Sequence, residues 1–130
     1  MIGAVIVSHG VLANAALEVL SQISGEQKGI VAISNTGRDL RQMEEDLREA
    51  IDRLKGHDGV IVFSDLHGGS YSLICKRLLR EREGLVLMTG YNLPLLIEFT
   101  FYRNRPLGEL VPILEEKAKK GIKVFRQVKE

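Results

Sequence analysis

A histidine stands directly after the first apolar run of the chain and is the residue best placed to do chemistry. His9 follows the run 2–7 and precedes Gly10. An imidazole has a pKa of about 6.5, so around neutral pH it is mostly uncharged and one ring nitrogen can act as a nucleophile or a base. The alternative is a core histidine bonded to a neighbouring carbonyl. A position just beyond a buried strand favours the rim of a sheet instead.

An aspartate stands at the end of the third apolar run, where it could serve this histidine. Asp65 follows the run 60–63 and Ser64. If the first and third runs are neighbouring strands, its carboxylate can accept a hydrogen bond from Nδ1–H of His9. That bond would leave Nε2 free and would stabilise positive charge that develops on the ring. A helix N-cap or a solvated loop residue is the alternative role of Asp65.

The segment after Asp65 contains two glycines and a serine ahead of a helix. Glycines let the backbone come close to an oxyanion, and free N–H groups at a helix start, together with the Ser70 hydroxyl, would hold a phosphoryl group. Alone, Gly-Gly-Ser is a common turn with a capping serine. Beside His9 and Asp65 it becomes a candidate phosphoryl-binding loop, whose residues are Gly10, Leu66, His67, Gly68, Gly69 and Ser70.

Several familiar sites are absent from the sequence. No G-x-x-x-x-G-K-[ST] occurs, and no G-x-G-x-x-G follows the first apolar run, which argues against a nucleotide-binding P-loop or a dinucleotide site. His9, Asp65 and His67 lack the spacing of a zinc site, so neither a metal nor a cofactor is expected. Cys75 lies among apolar residues and is expected in the core. His57 is expected in a surface turn.

The composition indicates one domain, spanning 1–130, without disulfides. Its 18 basic and 17 acidic side chains nearly cancel and tryptophan is absent, so nucleic acid is not an expected partner. A single cysteine excludes a disulfide framework and suits a reducing compartment. No apolar run approaches the ~20 residues that cross a bilayer. A cytoplasmic location is therefore expected.

Short apolar runs alternate with helical periodicities along the chain. They predict strands at 2–7, 30–33, 60–63 and 85–88, with helices at about 12–23, 39–54 and 72–82, from 94 onward, and at about 108–120. This alternation implies an α/β fold with a mainly parallel, open sheet of four strands flanked by helices. Ligands of such sheets bind beyond the carboxyl ends of the strands, where His9 and Asp65 stand. Residues 122–128 predict a C-terminal edge strand, antiparallel or paired with another subunit.

Three motifs at these strand ends resemble one family. Val-Ser-His-Gly follows the first strand, Asp-Leu-His-Gly-Gly-Ser the third, and Gly-Tyr-Asn-Leu-Pro-Leu-Leu-Ile-Glu the fourth. Together they resemble the IIA component (EIIA) of the mannose/fructose/sorbose-type bacterial phosphotransferase system (PTS), over nearly the whole chain and in order. Two positions depart from the family's pattern: His67 stands where a large aromatic is usual, and Tyr71 where proline is common.

The resemblance implies a phosphotransferase with a phosphohistidine intermediate. His9 Nε2 would accept a phosphoryl group from HPr and pass it to a IIB protein or domain, which serves a IIC/IID membrane permease. Asp65 would hold Nδ1, Ser70 and the loop amides would bind the phosphoryl oxygens, and Asn92 would order the site. The resemblance also implies a homodimer that exchanges strand 122–128. A carrier domain feeding dihydroxyacetone kinase, or a non-catalytic module regulated by phosphorylation of His9, is the alternative.

Overall fold

Short apolar segments form the strands of the protein, and each strand leads into a helix. The computed structural model describes residues 1–129, in which the strands are β1 (Gly3–Ser8), β2 (Ile30–Ser34), β3 (Val60–Ser64) and β4 (Leu85–Thr89). The helices are α1 (Leu12–Ser24), α2 (Leu40–Arg53), α3 (Gly69–Glu81), α4 (Leu93–Tyr102) and α5 (Leu107–Lys120). None of these helices combines the length and the apolar composition that crossing a membrane requires.

The four strands form one parallel sheet in the order β2-β1-β3-β4. The α/β fold with an open parallel sheet is thus confirmed. The first connection places β2 on one side of β1 and the second places β3 on the other, so the winding direction changes between β1 and β3. Ligands of open α/β sheets bind at such a switch point. His9 follows β1 and Asp65 follows β3, so both residues lie there.

Helices cover both faces of the sheet, and each face has its own apolar core. One core packs α2 and α3 against the sheet and includes Val5, Val62 and Cys75. The other packs α1, α4 and α5 against the opposite face and is centred on Phe63 and Phe99, whose rings meet edge to face at 5.4 Å. Because β1 and β3 are buried along their whole length, the residues at their carboxyl ends are attached to tightly packed strands.

Two local features differ from the prediction. Helix α3 begins at Gly69, three residues before the predicted start at Ser72, so Ser70 lies in its first turn. The apolar periodicity could not show this because the first residues of the helix are exposed. His57 lies in a turn, as predicted, but it is half-buried and packs beside Gly3 and Gly29.

The part of the segment after α5 that the structure describes pairs with no strand of the same chain. Among the described residues, 122–129 have no regular secondary structure, and four of their apolar side chains are largely exposed: Ile122, Val124, Phe125 and Val128. The strand predicted at 122–128 is not formed within the single chain. Its pairing with a second subunit stays a prediction.

Candidate functional site

His9 and Asp65 are joined by two hydrogen bonds that share one carboxylate oxygen. Asp65 Oδ2 accepts from the backbone N–H of His9 at 2.9 Å and from Nδ1 of its ring, also at 2.9 Å. The side chain of His9 is 59% exposed, whereas that of Asp65 is only 10% exposed. The ring therefore lies at the surface above a nearly buried carboxylate, and His9 is not a core histidine.

This geometry determines which ring nitrogen is available. A carboxylate only accepts hydrogen bonds, so Nδ1 carries the proton and Nε2 keeps its lone pair. The second bond, from the backbone N–H of His9, holds the carboxylate against the main chain that carries the ring. The predicted partnership of His9 with Asp65 is present in the structure. Asp65 is not the N-cap of α3, because Gly68 occupies that position.

Serine hydroxyls at the strand ends hold the loop that carries His9. Ser8 is buried, and its Oγ accepts from Ala13 N at 2.6 Å, which fixes the start of α1 beneath the loop. The hydroxyl of Ser34, at the end of β2, donates to Gly10 O at 2.6 Å. No role was predicted for Ser8 or Ser34 from the sequence. The signal available in the sequence was that each of the first three strands ends in a serine.

The loop between β3 and α3 is open and rich in unused backbone donors. Residues 66–70 are exposed, and Gly68 and Gly69 have φ values of 85° and 75°, which a residue with a side chain rarely adopts. Among the described residues, no side chain caps α3, so the first N–H groups of that helix have no side-chain acceptor. Ser64 Oγ donates to Leu66 O at 3.1 Å and orders the start of the loop. This arrangement suits an anion.

The remaining predicted residues of this loop make no side-chain hydrogen bond to the histidine within residues 1–129. Within residues 1–129, neither His67 nor Ser70 makes a side-chain hydrogen bond to His9 or Asp65. Their roles toward a phosphoryl group stay predictions. Within the same residues, no three His, Cys, Asp or Glu side chains are grouped as ligands of a metal ion would be.

Asn92 organises the corner between β4 and α4 and makes no hydrogen bond to His9 within residues 1–129. Its Oδ1 accepts from Leu95 N at 2.9 Å and caps α4, while its Nδ2 donates to Ala118 O in α5 at 2.9 Å. The preceding residues are tied to the site, because Gly90 N and Tyr91 N both donate to Ser64 O, at 2.8 and 3.3 Å. Any ordering of the site by Asn92 must therefore pass through this corner.

A buried tyrosine, Tyr71, and a half-buried tyrosine, Tyr91, lie on opposite faces of the sheet. Burial is the largest cause that raises the pKa of Tyr71 and of Tyr91 to about 12, and the negative charge of Asp65 adds to both shifts. Both phenols are thus neutral around neutral pH. Tyr91 also lines a cavity of about 330 Å³ between α1 and α4, whose other walls include Leu12, Val19 and Leu93. The site therefore borders an apolar depression.

Fold and site together define a class: an open parallel α/β domain with a carboxylate-oriented, solvent-facing histidine at its switch point. The family described as PTS system fructose IIA component (EIIA-man) matches residues 3–114. The chain belongs to this family, as its three motifs led us to expect. It is thereby a phosphotransferase-system component of the mannose/fructose IIA type.

Known relatives agree in sequence and in fold. The chain is 27% identical over 128 residues to the PTS system mannose-specific EIIAB component of Escherichia coli K12, covering 96% of this chain but 40% of that protein. The phosphotransferase component EIIA of Streptococcus agalactiae superposes with a TM-score of 0.87 at 25% identity, over 95% of this chain and 97% of that one. The PTS IIA protein associated with the fucose utilization operon of Streptococcus pneumoniae has a TM-score of 0.86 at 23% identity, over 95% and 92% of the two chains.

Proposed function

We propose that the protein is a phosphoryl carrier in which His9 Nε2 takes a phosphoryl group from the phosphohistidine of HPr and passes it to a IIB protein or domain. The observation that carries the proposal is the pair of 2.9 Å bonds between Asp65 Oδ2 and His9, which leave Nε2 unprotonated on a ring that is more than half exposed. Membership of the PTS IIA family supports the reaction class.

The residues of the site match the needs of the transfer step. The lone pair of Nε2 attacks phosphorus, the N–P bond of the donor breaks, and its electron pair returns to the donor imidazole. Positive charge then appears on the ring of His9, and the carboxylate of Asp65 lies 2.9 Å from Nδ1, where it stabilises that charge. The free N–H groups at the start of α3 face the transferring phosphoryl, which carries charge on its equatorial oxygens.

The surroundings of His9 suit a protein partner better than a small molecule. The ring is more than half exposed, and aliphatic side chains around it are also exposed: Val11, Leu12, Leu66 and Leu93. Exposed aliphatic groups beside a reactive residue are typical of a surface that docks another macromolecule. HPr and a IIB protein would dock here in turn, and the IIC/IID permease would receive the group only through IIB.

A homodimer is part of the proposal. Strand β4 is at the edge of the sheet, so one side of its backbone has no partner strand among residues 1–129. A cavity of about 440 Å³ runs beside β4 and α5, lined by Leu87, Thr89, Val111 and Ile122. The exposed apolar segment 122–128 of a second chain would pair with this edge and cover the cavity.

Transfer of radioactive phosphate from phospho-HPr tests the carrier function. We expect the wild-type chain and His57→Gln, a variant at the opposite end of the sheet, to acquire acid-labile label, and His9→Ala to acquire none. The labelled protein should then lose its label to a IIB domain. Label that persists in His9→Ala would contradict the assignment of His9, and transfer only to a dihydroxyacetone kinase subunit would identify a different pathway.

A further inference from the structure

We propose that Tyr91, in the corner between β4 and α4, is a positioning residue of the transfer site. Its phenol would hold Oδ1 of the Asp65 carboxylate, so that Oδ2 stays turned toward the ring of His9. The inference rests on the proposed function and deepens it, because it adds to the same site a residue that acts through Asp65.

The alternation of side chains along the strands places Tyr91, Asp65 and Ser8 on one face of the sheet. Ile6 of β1 and Phe63 of β3 belong to the core beneath α1, α4 and α5. Ser8 and Asp65 each stand two residues further along, and residues two apart on a strand share a face. Tyr91 packs against the same core. The three side chains therefore lie on the α1 and α4 side of the sheet.

Backbone hydrogen bonds bring these three residues to adjacent positions. Asp65 N donates to Val7 O at 3.3 Å, which extends the ladder between β1 and β3 beyond Ser64. Ser8 and Asp65 are thus neighbours on strands that lie about 4.8 Å apart. On the other side of β3, Tyr91 N donates to Ser64 O at 3.3 Å. Tyr91 is therefore joined to the residue that precedes Asp65.

Two buried polar atoms in this cluster have no hydrogen-bond partner within residues 1–129. Oδ1 of Asp65 is an acceptor without a donor, and the phenol oxygen of Tyr91 carries a proton without an acceptor. Burial is the largest cause that raises the pKa of Tyr91 to about 12; the charge of Asp65 adds to the rise, and the neighbouring Ser8 hydroxyl opposes it. Because unpaired buried polar groups are costly, the phenol and Oδ1 are complementary partners.

The hydroxyl of Ser8 sets the direction of the hydrogen bonds. Its Oγ already accepts from Ala13 N at 2.6 Å, which leaves its own proton for the phenol oxygen of Tyr91. The phenol then donates to Asp65 Oδ1, and Oδ2 accepts from both N–H groups of His9. In this arrangement each of the buried polar atoms has a partner.

Loss of the phenol should change the tautomer of His9. Without a donor, the buried Oδ1 favours rotation of the carboxylate toward water, and Nδ1–H then loses part of its acceptor. The proton moves to Nε2 in a larger share of the molecules. A hydrogen bond of ordinary strength corresponds to a change in the tautomer ratio of roughly 3- to 10-fold.

NMR of the ring nitrogens of His9, at a pH where the ring is neutral, tests this directly. We expect the ratio of the Nδ1–H to the Nε2–H form to fall roughly 3- to 10-fold in Tyr91→Phe. Tyr71→Phe is the matched control, because it also removes a buried phenol without a partner, but on the opposite face of the sheet, and should leave the ratio unchanged. An unchanged ratio in Tyr91→Phe, or the same fall in both variants, would overturn the inference.

A second measurement leaves Tyr91 in place. We expect the hydroxyl proton of Tyr91 in the wild-type protein to be protected from exchange with water. Its resonance should move in Asp65→Asn, while that of Tyr71 should not. A Tyr91 hydroxyl resonance that is the same in wild type and in Asp65→Asn would overturn the inference.

A double-mutant cycle in the transfer assay shows whether Tyr91 acts through Asp65. At saturating phospho-HPr we expect Tyr91→Phe to slow transfer roughly 3- to 10-fold in the wild-type background and to add nothing in the Asp65→Asn background. Equal slowing in both backgrounds, or a rise in KM alone, would overturn the inference and assign Tyr91 to docking at the apolar depression that it lines. Absence of transfer from wild type would overturn the carrier function, whereas the tautomer ratio needs no phosphoryl donor and would still decide the role of Tyr91.

Discussion

Replacing Asp65 by asparagine is the sharpest test of how the site works. The substitution keeps the size of the side chain but removes the charge that accepts both bonds from His9. An asparagine amide can donate to Nδ1, in which case the proton moves to Nε2 and the nucleophilic lone pair is lost. The carboxylate also no longer stabilises positive charge on the ring during transfer.

The bonds in the structure set the expected size of the effect. A hydrogen bond to a charged group contributes about 1.5–3 kcal/mol. The bond from Nδ1 is the one that becomes stronger as positive charge develops on the ring. A loss of about 1.5–3 kcal/mol in the transition state corresponds to a rate reduction of roughly 10- to 150-fold. Because asparagine has the shape of aspartate, its amide oxygen can still accept from the backbone N–H of His9. Asp65 also makes no capping bond to α3, so the fold should persist in the variant.

Rapid-quench measurement of phosphoryl transfer from phospho-HPr is the assay, with Asp46→Asn as the matched control. Asp46 is an aspartate at the same end of the sheet whose partner is Arg38, so its variant loses a similar charge without touching His9. We expect Asp46→Asn to transfer at close to the wild-type rate. If Asp65→Asn were within about threefold of Asp46→Asn, the argument that the carboxylate sets the tautomer of His9 would be refuted.

Three further predictions concern the scaffold. Gly29→Ala should destabilise the protein by at least about 2 kcal/mol in denaturant unfolding, because φ is 75° and an added Cβ would overlap the ring of His57. Gly37→Ala is the control: φ is 70° there but the space around it is open, so the substitution should cost only about 1 kcal/mol. Arg103→Met should cost about 2–3 kcal/mol in the same assay yet leave labelling of His9 intact while the protein is folded, because the buried guanidinium bonds Ile2 O at the far end of the sheet. Deletion of residues 122–130 should convert a dimer into a monomer in light scattering, and a dimer that persists would contradict strand exchange.

The fold and the central pair of the site could be predicted because both depend on local patterns. Apolar runs of four to six residues identified the strands, and the alternation with helices restricted the topology to a parallel sheet. Once β1 and β3 are neighbours, the residues after them must meet at one edge. The contact between His9 and Asp65 therefore followed from the register of two strands, in which Val7 pairs with Ser64.

What could not be predicted depends on contacts between distant parts of the chain. Arg103 is buried and donates to Ile2 O, 101 residues away, at 3.0 and 2.8 Å, which no local pattern indicates. The start of α3 depends on two glycines with positive φ rather than on apolar spacing. The proposed pairing of 122–128 would involve a second chain, so neither sequence periodicity nor a single folded chain determines it.

The distribution of charge at the site fits the proposed carrier, which must release the phosphoryl group as readily as it accepts it. A fixed lysine or arginine beside His9 would stabilise the bound phosphoryl group and slow its departure. The loops after β1, β3 and β4 provide neutral backbone N–H groups and one carboxylate, but no permanent cation. A cation from the docking partner can then stabilise the transition state in either direction.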